Sequence, residues 1–163
     1  MISSLRIKSG LLVLAVSSAL GVPFISNVAV AGVPEEPSIH SLSPDEVQSG
    51  ALTVAQSASG VRYVAGGIGV EERAWLAAHA SQFNTHITFA VVPGGAFVSD
   101  VHVGITNAKG DSILDTTAQG PKLLVELPSG SYQLTATHDG QTIRRSFAIS
   151  SQGHAVLDIG FKH

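Results

Sequence analysis

The stretch from Gly120 to Gly140 most constrains the fold, because two runs of alternating apolar residues flank a turn at residues 128–130. The apolar residues occupy every second position, namely Leu123, Val125 and Leu127 before the turn and Tyr132, Leu134 and Ala136 after it. A period of two is typical of β-strands that bury one face. The stretch therefore predicts two strands that reverse direction at a Pro-Ser-Gly turn, with Leu127, Tyr132 and Leu134 in the centre of the core.

Similar strand-like segments, separated by turn residues, fill most of the chain after residue 85. They are residues 86–92, 101–106, 112–117, 123–127, 132–138, 141–149 and 155–161, and residues 61–65 could form a further short strand. Strands that follow one another without intervening helices are typical of antiparallel sheets packed face to face. The sequence predicts a mainly β fold, an antiparallel β-sandwich of about seven strands. Arg145 breaks the pattern, because this charged residue falls on the same face of its predicted strand as Ile143 and Phe147. A β-bulge or a position at the edge of the sheet would explain it.

One helix is predicted before the strands, over residues 70–84. Leu76, Ala80 and Phe83 follow one another at spacings of four and three, which places them on one side of a helix. An isolated helix of this length is marginally stable, so it should dock on the sandwich through Leu76 and Phe83, with Trp75 at the rim of the contact.

The glycine-rich residues 66–69 precede this helix, and such a loop can bind phosphate through backbone amides and the helix dipole. Glu71 and Glu72 already occupy the positive end of the helix and would repel phosphate. The Gly-Lys-Ser/Thr motif of phosphate-binding loops is also missing. The segment is therefore predicted to be a tight turn.

Residues 1–31 have the pattern of a secretory signal peptide. Arg6 and Lys8 form a charged beginning, residues 11–19 an apolar core, and residues 29–31 a small-x-small cleavage site. Export to the periplasm or the exterior is therefore predicted.

The alternative for this segment is an uncleaved membrane anchor, which Pro23 and Asn27 disfavour by interrupting the apolar run before the ~20 residues that a spanning helix needs.

Residues 32–60 show no sustained period and are rich in Pro, Ser, Glu and Gln, which predicts a disordered linker. The remaining residues, 61–163, form the predicted β-sandwich domain with its N-terminal helix.

Charge and cysteine content exclude several classes of partner. Without the two cations of the predicted signal, seven Lys and Arg residues face twelve Asp and Glu residues. A chain of this charge, with no run of basic residues, does not fit nucleic acid or an anionic membrane surface. The absence of cysteine excludes disulfides and lipid attachment at a cysteine.

Residues 101–105 (Val-His-Val-Gly-Ile), residues 127–134 (Leu-Pro-Ser-Gly-Ser-Tyr-Gln-Leu) and the turn at Asp139-Gly140 together resemble the carboxypeptidase regulatory-like domain. This is a transthyretin-like sandwich whose signature is a leucine, a proline-glycine turn and a tyrosine that opens the next strand. The segment from Tyr63 to Phe161 also resembles small exported proteobacterial proteins that carry this domain. The resemblance implies a transthyretin/Ig-like sandwich and a non-catalytic accessory domain, and it supplies no catalytic residues.

The sequence contains few candidate catalytic residues. They are Ser99 beside Asp100 and the carboxylates of Asp115, Glu126 and Asp158. The Gly-x-Ser-x-Gly motif, which presents a serine nucleophile on a strained turn, is absent. We therefore predict that the protein is not an enzyme and that it uses no cofactor.

The seven histidines do not show the close spacing of metal ligands. His86, His102 and His154 are predicted to lie off the core face, so an exposed Zn²⁺ or Cu²⁺ patch is the alternative to scattered surface histidines. No metal site is predicted.

Taken together, the sequence predicts an exported, non-catalytic module for protein interaction or structural support in the cell envelope. Its candidate contact residues are Trp75, Leu76 and Phe83, because large aromatics carry much of the energy of an interface. The rival interpretation of Trp75 is that it covers the sandwich. The alternative function is that of a periplasmic protein that binds a small ligand, a carbohydrate or a metal. Tyr132 is predicted to form a corner that ties the turn to the sheet.

Overall fold

The structure is a computed structural model that describes residues 42–162. The predicted signal peptide, residues 1–31, and the first part of the predicted linker, residues 32–41, lie outside the described residues. Within residues 42–162, no helix is both long and apolar enough to span a bilayer.

The described chain forms two α-helices, a short 3-10 helix and nine strands. The helices are α1 (Pro44–Ser49) and α2 (Val70–His79), and the 3-10 helix is Ala80–Gln82. The strands are β1 (Ala55–Gln56), β2 (Arg62–Gly66), β3 (Thr85–Val92), β4 (Val101–Asn107), β5 (Ser112–Ala118), β6 (Lys122–Val125), β7 (Gly130–His138), β8 (Gln141–Ile149) and β9 (Ala155–Lys162).

The strands form two sheets. The five-stranded sheet has the order β1-β2-β6-β3-β9, and the four-stranded sheet has the order β5-β4-β7-β8. All neighbouring strands are antiparallel except β3 and β9, which run parallel. The predicted fold class, a mainly β sandwich, is confirmed. The two strands beyond the expected seven are the short β1 and the possible strand at 61–65, which is β2.

The two strands around the Pro-Ser-Gly turn, β6 and β7, are not partners in one sheet. β6 pairs with β2 and β3, whereas β7 pairs with β4 and β8. The turn therefore carries the chain from the five-stranded sheet to the four-stranded sheet. The alternation of apolar residues defines which face of a strand is buried, but it does not define the hydrogen-bonded neighbour, and both strands bury the predicted face in the same core.

The core lies between the two sheets. Leu127, Tyr132 and Leu134 belong to it with 3%, 7% and 0% of their surface exposed, as predicted. The Tyr132 hydroxyl donates a hydrogen bond to the carbonyl of Pro128 at 2.8 Å. The predicted tyrosine corner is therefore confirmed, and it fixes the passage between the sheets.

Arg145 owes its exposed position to the edge of the four-stranded sheet. The β7–β8 register runs without a shift through the Leu134–Arg145 pair, so no bulge is present there. β8 is the last strand of its sheet, and Arg145 is exposed. Because β8 is an edge strand, the Arg145 guanidinium can reach solvent although Arg145 lies on the same face of the strand as Ile143 and Phe147.

Residues 42–60 differ from the predicted disordered linker, because they contain α1 and β1. Ser43 caps α1 and exchanges hydrogen bonds with Glu46, so that the Ser-x-x-Glu capping box is complete, and Pro44 occupies the first turn. These are start signals of a helix, which the overall Pro-rich composition obscured.

The same segment packs on the rest of the protein. Val47, Leu52 and Val54 contact a small apolar cluster beneath α2. A Cβ on Gly50 would overlap the backbone of Glu71, so the end of α1 closely approaches the start of α2. The burial of three apolar side chains offsets part of the entropy of ordering this segment.

The predicted helix over residues 70–84 is shorter as an α-helix. It ends at His79 and continues as the 3-10 helix, and Phe83 already has an extended backbone. Asn84, the last residue of the predicted helix, directs its side chain to the backbone of Leu127.

Candidate functional site

The three predicted contact residues lie in a buried cluster that attaches α2 to the five-stranded sheet. Trp75, Leu76 and Phe83 are 7%, 2% and 1% exposed, and they pack with Val64 and Leu124. They therefore offer no exposed surface to a partner, and the rival interpretation of Trp75 as cover for the sandwich agrees with the structure.

The position of Trp75 depends on the segment that the sequence suggested was a linker. Trp75 also stacks on His79, with ring centroids 4.0 Å apart, and Nδ1 of His79 lies 2.8 Å from the Trp75 carbonyl. The helical pattern placed Trp75 at the rim, but the residues after α1 cover the cluster to which it belongs.

The histidines considered for a metal patch occupy separate environments. Nε2 of His86 is 3.1 Å from the carbonyl oxygens of both Ala80 and Phe83, and Nε2 of His102 is 3.3 Å from Asp115. Within residues 42–162, no three His, Cys, Asp or Glu side chains are grouped as metal ligands. The structure thus does not bring His86, His102 and His154 together.

The carboxylates considered for catalysis also have separate partners. Glu126 forms an ion pair with Arg62 at 3.0 Å, and Asp115 lies beside His102. The Ser99 hydroxyl is 3.4 Å from the Asp100 carboxylate, and both residues precede β4. Asp158 is exposed on β9.

The glycine-rich loop before α2 is a tight turn whose amides bind a carboxylate of the protein itself. Oε2 of Glu72 accepts hydrogen bonds from the N–H groups of Gly67 at 2.8 Å and Ile68 at 3.0 Å. Gly67 has φ of 97°, a conformation that favours glycine. This arrangement holds the side chain of Ile68 outward, with 64% of its surface exposed.

A second ordered loop, between β3 and β4, presents Phe97. The N–H of Val91 donates to the Ala96 carbonyl at 2.8 Å, and the N–H of Val98 donates to the Phe89 carbonyl at 3.1 Å. Val98 points into the core, whereas Phe97 is 56% exposed. The backbone therefore fixes an aromatic ring on the surface.

Ile68 and Phe97 border the same hollow of about 180 Å³, which we call the Phe97 hollow. It is lined by Gly67, Ile68, Phe97, Val98, Ser99 and Pro121. Nζ of Lys122 lies 5.9 Å from the centre of the Phe97 ring, a cation–π distance. The site combines exposed apolar side chains with one positive charge.

A second concavity, of about 290 Å³, lies between α2 and the five-stranded sheet, and we call it the helix groove. Its apolar lining consists of Leu76, Ala77, Ala80, Ile87 and Leu124. Arg73, His86 and Lys122 supply its polar groups. Because Lys122 also reaches the Phe97 ring, the helix groove and the Phe97 hollow are neighbours on one surface.

A further depression, of about 630 Å³, is an open region at one end of the four-stranded sheet. Asn107, one of its polar lining residues, serves the β4–β5 turn, where its Oδ1 accepts from the N–H groups of Lys109 at 2.9 Å and Asp111 at 3.0 Å. These bonds stabilise the turn, so the depression is a weaker candidate for binding.

The sequence did not single out Ile68, Phe97 or Lys122. A Gly-Gly turn followed by an aromatic residue and then a core valine, at residues 94–98, was the available signal for Phe97. It shows that the aromatic and the valine point to opposite sides of an extended segment.

No protein-family model matches this chain, and no curated protein matches it. Two solved structures share part of its fold. One is 5-hydroxyisourate hydrolase of Klebsiella pneumoniae, with 20% identity and a TM-score of 0.38 over 48% of this chain and 88% of that chain. The other is S.CueP, with 16% identity and a TM-score of 0.36 over 45% of this chain and 59% of that chain. The β-sandwich itself is shown by the two packed sheets of this structure.

The prediction that the protein is not an enzyme is contradicted, because the 5-hydroxyisourate hydrolase among these structures is itself an enzyme, and the prediction is withdrawn. The prediction rested on missing sequence motifs, and a catalytic site assembled from separate strands need not contain a local motif. At 20% identity, no residue of the hydrolase carries over to this chain.

Proposed function

We propose that the protein is an exported β-sandwich module that binds another protein in the cell envelope through the Phe97 hollow. The observation that carries this proposal is the exposure of Phe97 on a loop whose backbone is fixed by hydrogen bonds. Ordered aromatic side chains suit protein interfaces, because they bury a large area with little loss of conformational entropy.

The surroundings of Phe97 support the same function. Ile68 adds a second exposed apolar side chain, and Lys122 adds a charge at the rim. An apolar centre with a polar rim is the usual composition of a protein interface. The contact differs from the one expected from sequence, because the residues expected on the helix are buried.

Export and the finer family assignment belong to the same proposal. Export rests on the charged, apolar and small-residue regions of residues 1–31. The assignment to the carboxypeptidase regulatory-like domain rests on the motif from Leu127 to Leu134. Intact-mass measurement of the native protein tests export, with a chain that begins at Gly32 as the expected result and one that begins at Met1 as the contrary result.

Site-specific crosslinking tests the contact surface. A photoreactive p-benzoylphenylalanine would replace Phe97 in one variant and Val156 in another, and crosslinking would be carried out in intact cells. Val156 is the matched control, because it is an apolar side chain with 72% exposure on β9. We expect a discrete protein adduct from position 97 that position 156 does not give.

Binding of the identified partner to purified variants completes the test. Phe97→Ala should weaken binding about 10- to 100-fold, the effect of losing a central aromatic contact. Val156→Ala should leave binding unchanged, and both variants should melt within a few degrees of the wild type. Equal adducts at both positions, or full binding by Phe97→Ala, would contradict the proposal.

A further inference from the structure

We propose that the helix groove is a binding site for a small amphipathic monocarboxylate, an organic acid with an apolar tail. This site adjoins the protein contact proposed above and shares Lys122 with it, but its other lining residues are different. Arg73 and Lys122 would hold the carboxylate, and the apolar lining of the groove would hold the tail.

The apolar surface that the helix groove offers to a ligand lies on its helix side. Ala77 is exposed and Ala80 is half-buried, and their short side chains leave the space that a larger residue would fill. Leu76 and Leu124, 2% and 5% exposed, close the base of the groove as part of the cluster beneath α2, whereas the Ile87 side chain belongs to the core between the sheets. An apolar tail gains free energy by covering the apolar surface that remains in contact with water.

The wall of the groove is held in place by His86. Its Nε2 lies 3.1 Å from the carbonyl oxygens of Ala80 and Phe83, which ties the 3-10 helix to β3. Because carbonyl oxygens only accept hydrogen bonds, this nitrogen carries a proton and donates. The groove is therefore built by hydrogen bonds as well as by packing, as expected of a preformed site.

Two cations border the groove, and among the described residues neither forms an ion pair with a carboxylate. Arg73 uses Nη1 to donate to the Ile68 carbonyl at 2.9 Å, which orients the guanidinium and leaves most of its N–H groups for another acceptor. Glu72, the adjacent acid, is already bound by the amides of Gly67 and Ile68. The charge of the groove therefore complements an anion.

The size of the groove selects a small ligand. Its volume of about 290 Å³ lies just below the range of about 300 to 1,000 Å³ that is typical of small-molecule sites. A ligand with one carboxylate would pair with the two cations of the groove, and its apolar tail would pack on the apolar lining. We therefore assign a free monocarboxylic acid as the occupant.

Titration of the full mature protein with three probes tests this assignment, with binding followed by calorimetry and by amide NMR shifts. Octanoate should bind and shift the amides of Ala77 and Ala80. Octanamide, which has the tail without the charge, should bind at least about tenfold more weakly, since a hydrogen bond to a charged group is the stronger one. Acetate, which has the charge without the tail, should not bind at the same concentration.

Variants assign the roles of the residues. Arg73→Gln and Lys122→Gln should each weaken octanoate about tenfold and leave octanamide unchanged. Lys109→Gln is the control, because it removes one lysine from the exposed β4–β5 turn. Ala77→Met should fill the groove and weaken octanoate and octanamide together, with little effect on melting because Ala77 is exposed.

Three results would overturn the proposal. They are equal binding of octanoate and octanamide, equal effects of Lys109→Gln and Lys122→Gln, and amide shifts confined to residues outside the groove. A peptide with a C-terminal leucine that binds more tightly than octanoate would overturn the assignment to a free acid. Phe97→Ala should retain octanoate binding, so failure of the protein contact and failure of this site are distinguishable.

Discussion

The side-chain amide of Asn84 pairs with the backbone of Leu127 as though it were a residue of a neighbouring strand. Its Nδ2 donates to the Leu127 carbonyl at 2.7 Å, and its Oδ1 accepts from the Leu127 N–H at 2.9 Å. The ladder between β3 and β6 ends at the Thr85–Val125 pair, and the amide extends the pairing two residues further along the chain that leaves β6. Asn84 thereby holds the start of the passage between the two sheets.

Asn84→Ala should destabilise the protein by about 2 to 3 kcal/mol, because it removes both hydrogen bonds to Leu127, together with the one from the Thr85 hydroxyl, and leaves the backbone polar groups of a buried residue unpaired. Chemical denaturation followed by tryptophan fluorescence would measure this loss. Gln141→Ala is the matched control, since Gln141 makes the same two-bond contact with the backbone of Lys162, but both residues lie in an exposed setting. An equal loss in both variants would show that burial of the contact does not matter.

Leu134→Ala should cost about 2 to 4 kcal/mol, because it leaves a cavity in a fully buried part of the core. Thr135→Ala, one residue along β7, should change the free energy of unfolding by less than about 0.5 kcal/mol, since Thr135 is on the outer face of the sandwich. Urea melts of the two variants would measure both values. Similar losses would contradict the assigned register of β7.

Much of the sandwich could be predicted, because alternation reports which face of a strand is buried. Leu127, Tyr132 and Leu134 were found in this way. Pairing could not be read from the same pattern, so the separation of β6 and β7 and the parallel pair of β3 and β9 were not expected. Alternation carries no information on which strand supplies the hydrogen-bonded neighbour.

The candidate site was harder to predict, since it depends on what covers each surface. Trp75 was expected at a rim, but the folded segment after α1 covers its cluster. The helix groove exists because Ala77 and Ala80 are short side chains facing a sheet, and this gap is visible only once α2 has been docked. Exposure of Phe97 likewise follows from the pairing of its loop with β3.

Trp75→Ala should destabilise the protein by about 3 kcal/mol, because it removes a large buried side chain from the cluster that attaches α2. Thermal melts followed by circular dichroism would measure the loss, with the exposed Ala78→Ser as a control on the same helix. The Phe97 loop should keep its position, because it is held by the pairing of Phe97 with Ala90 of β3. A melting temperature unchanged by Trp75→Ala would contradict the buried position.

Tyr132 should make the stability of the protein depend on pH in the alkaline range. Burial raises the pKa of the Tyr132 phenol above its ordinary value of 10.0, because the charged phenolate loses solvation in the core. The folded state therefore holds this proton more tightly than the unfolded state does. The resulting stabilisation is fully present below the unfolded pKa and is lost as the pH rises through the folded pKa.

Urea melts at pH values of about 9 and about 11 would detect this loss, with Tyr132→Phe as the comparison. The variant lacks the hydrogen bond to Pro128 and should be less stable by about 1 kcal/mol at the lower pH. Its free energy of unfolding should fall less between the two pH values than that of the wild type, since it has no phenol at this position to titrate. All other ionisable groups are the same in the two proteins, so their contribution cancels in the difference. Equal losses in the two proteins would show that ionisation of Tyr132 does not control alkaline unfolding.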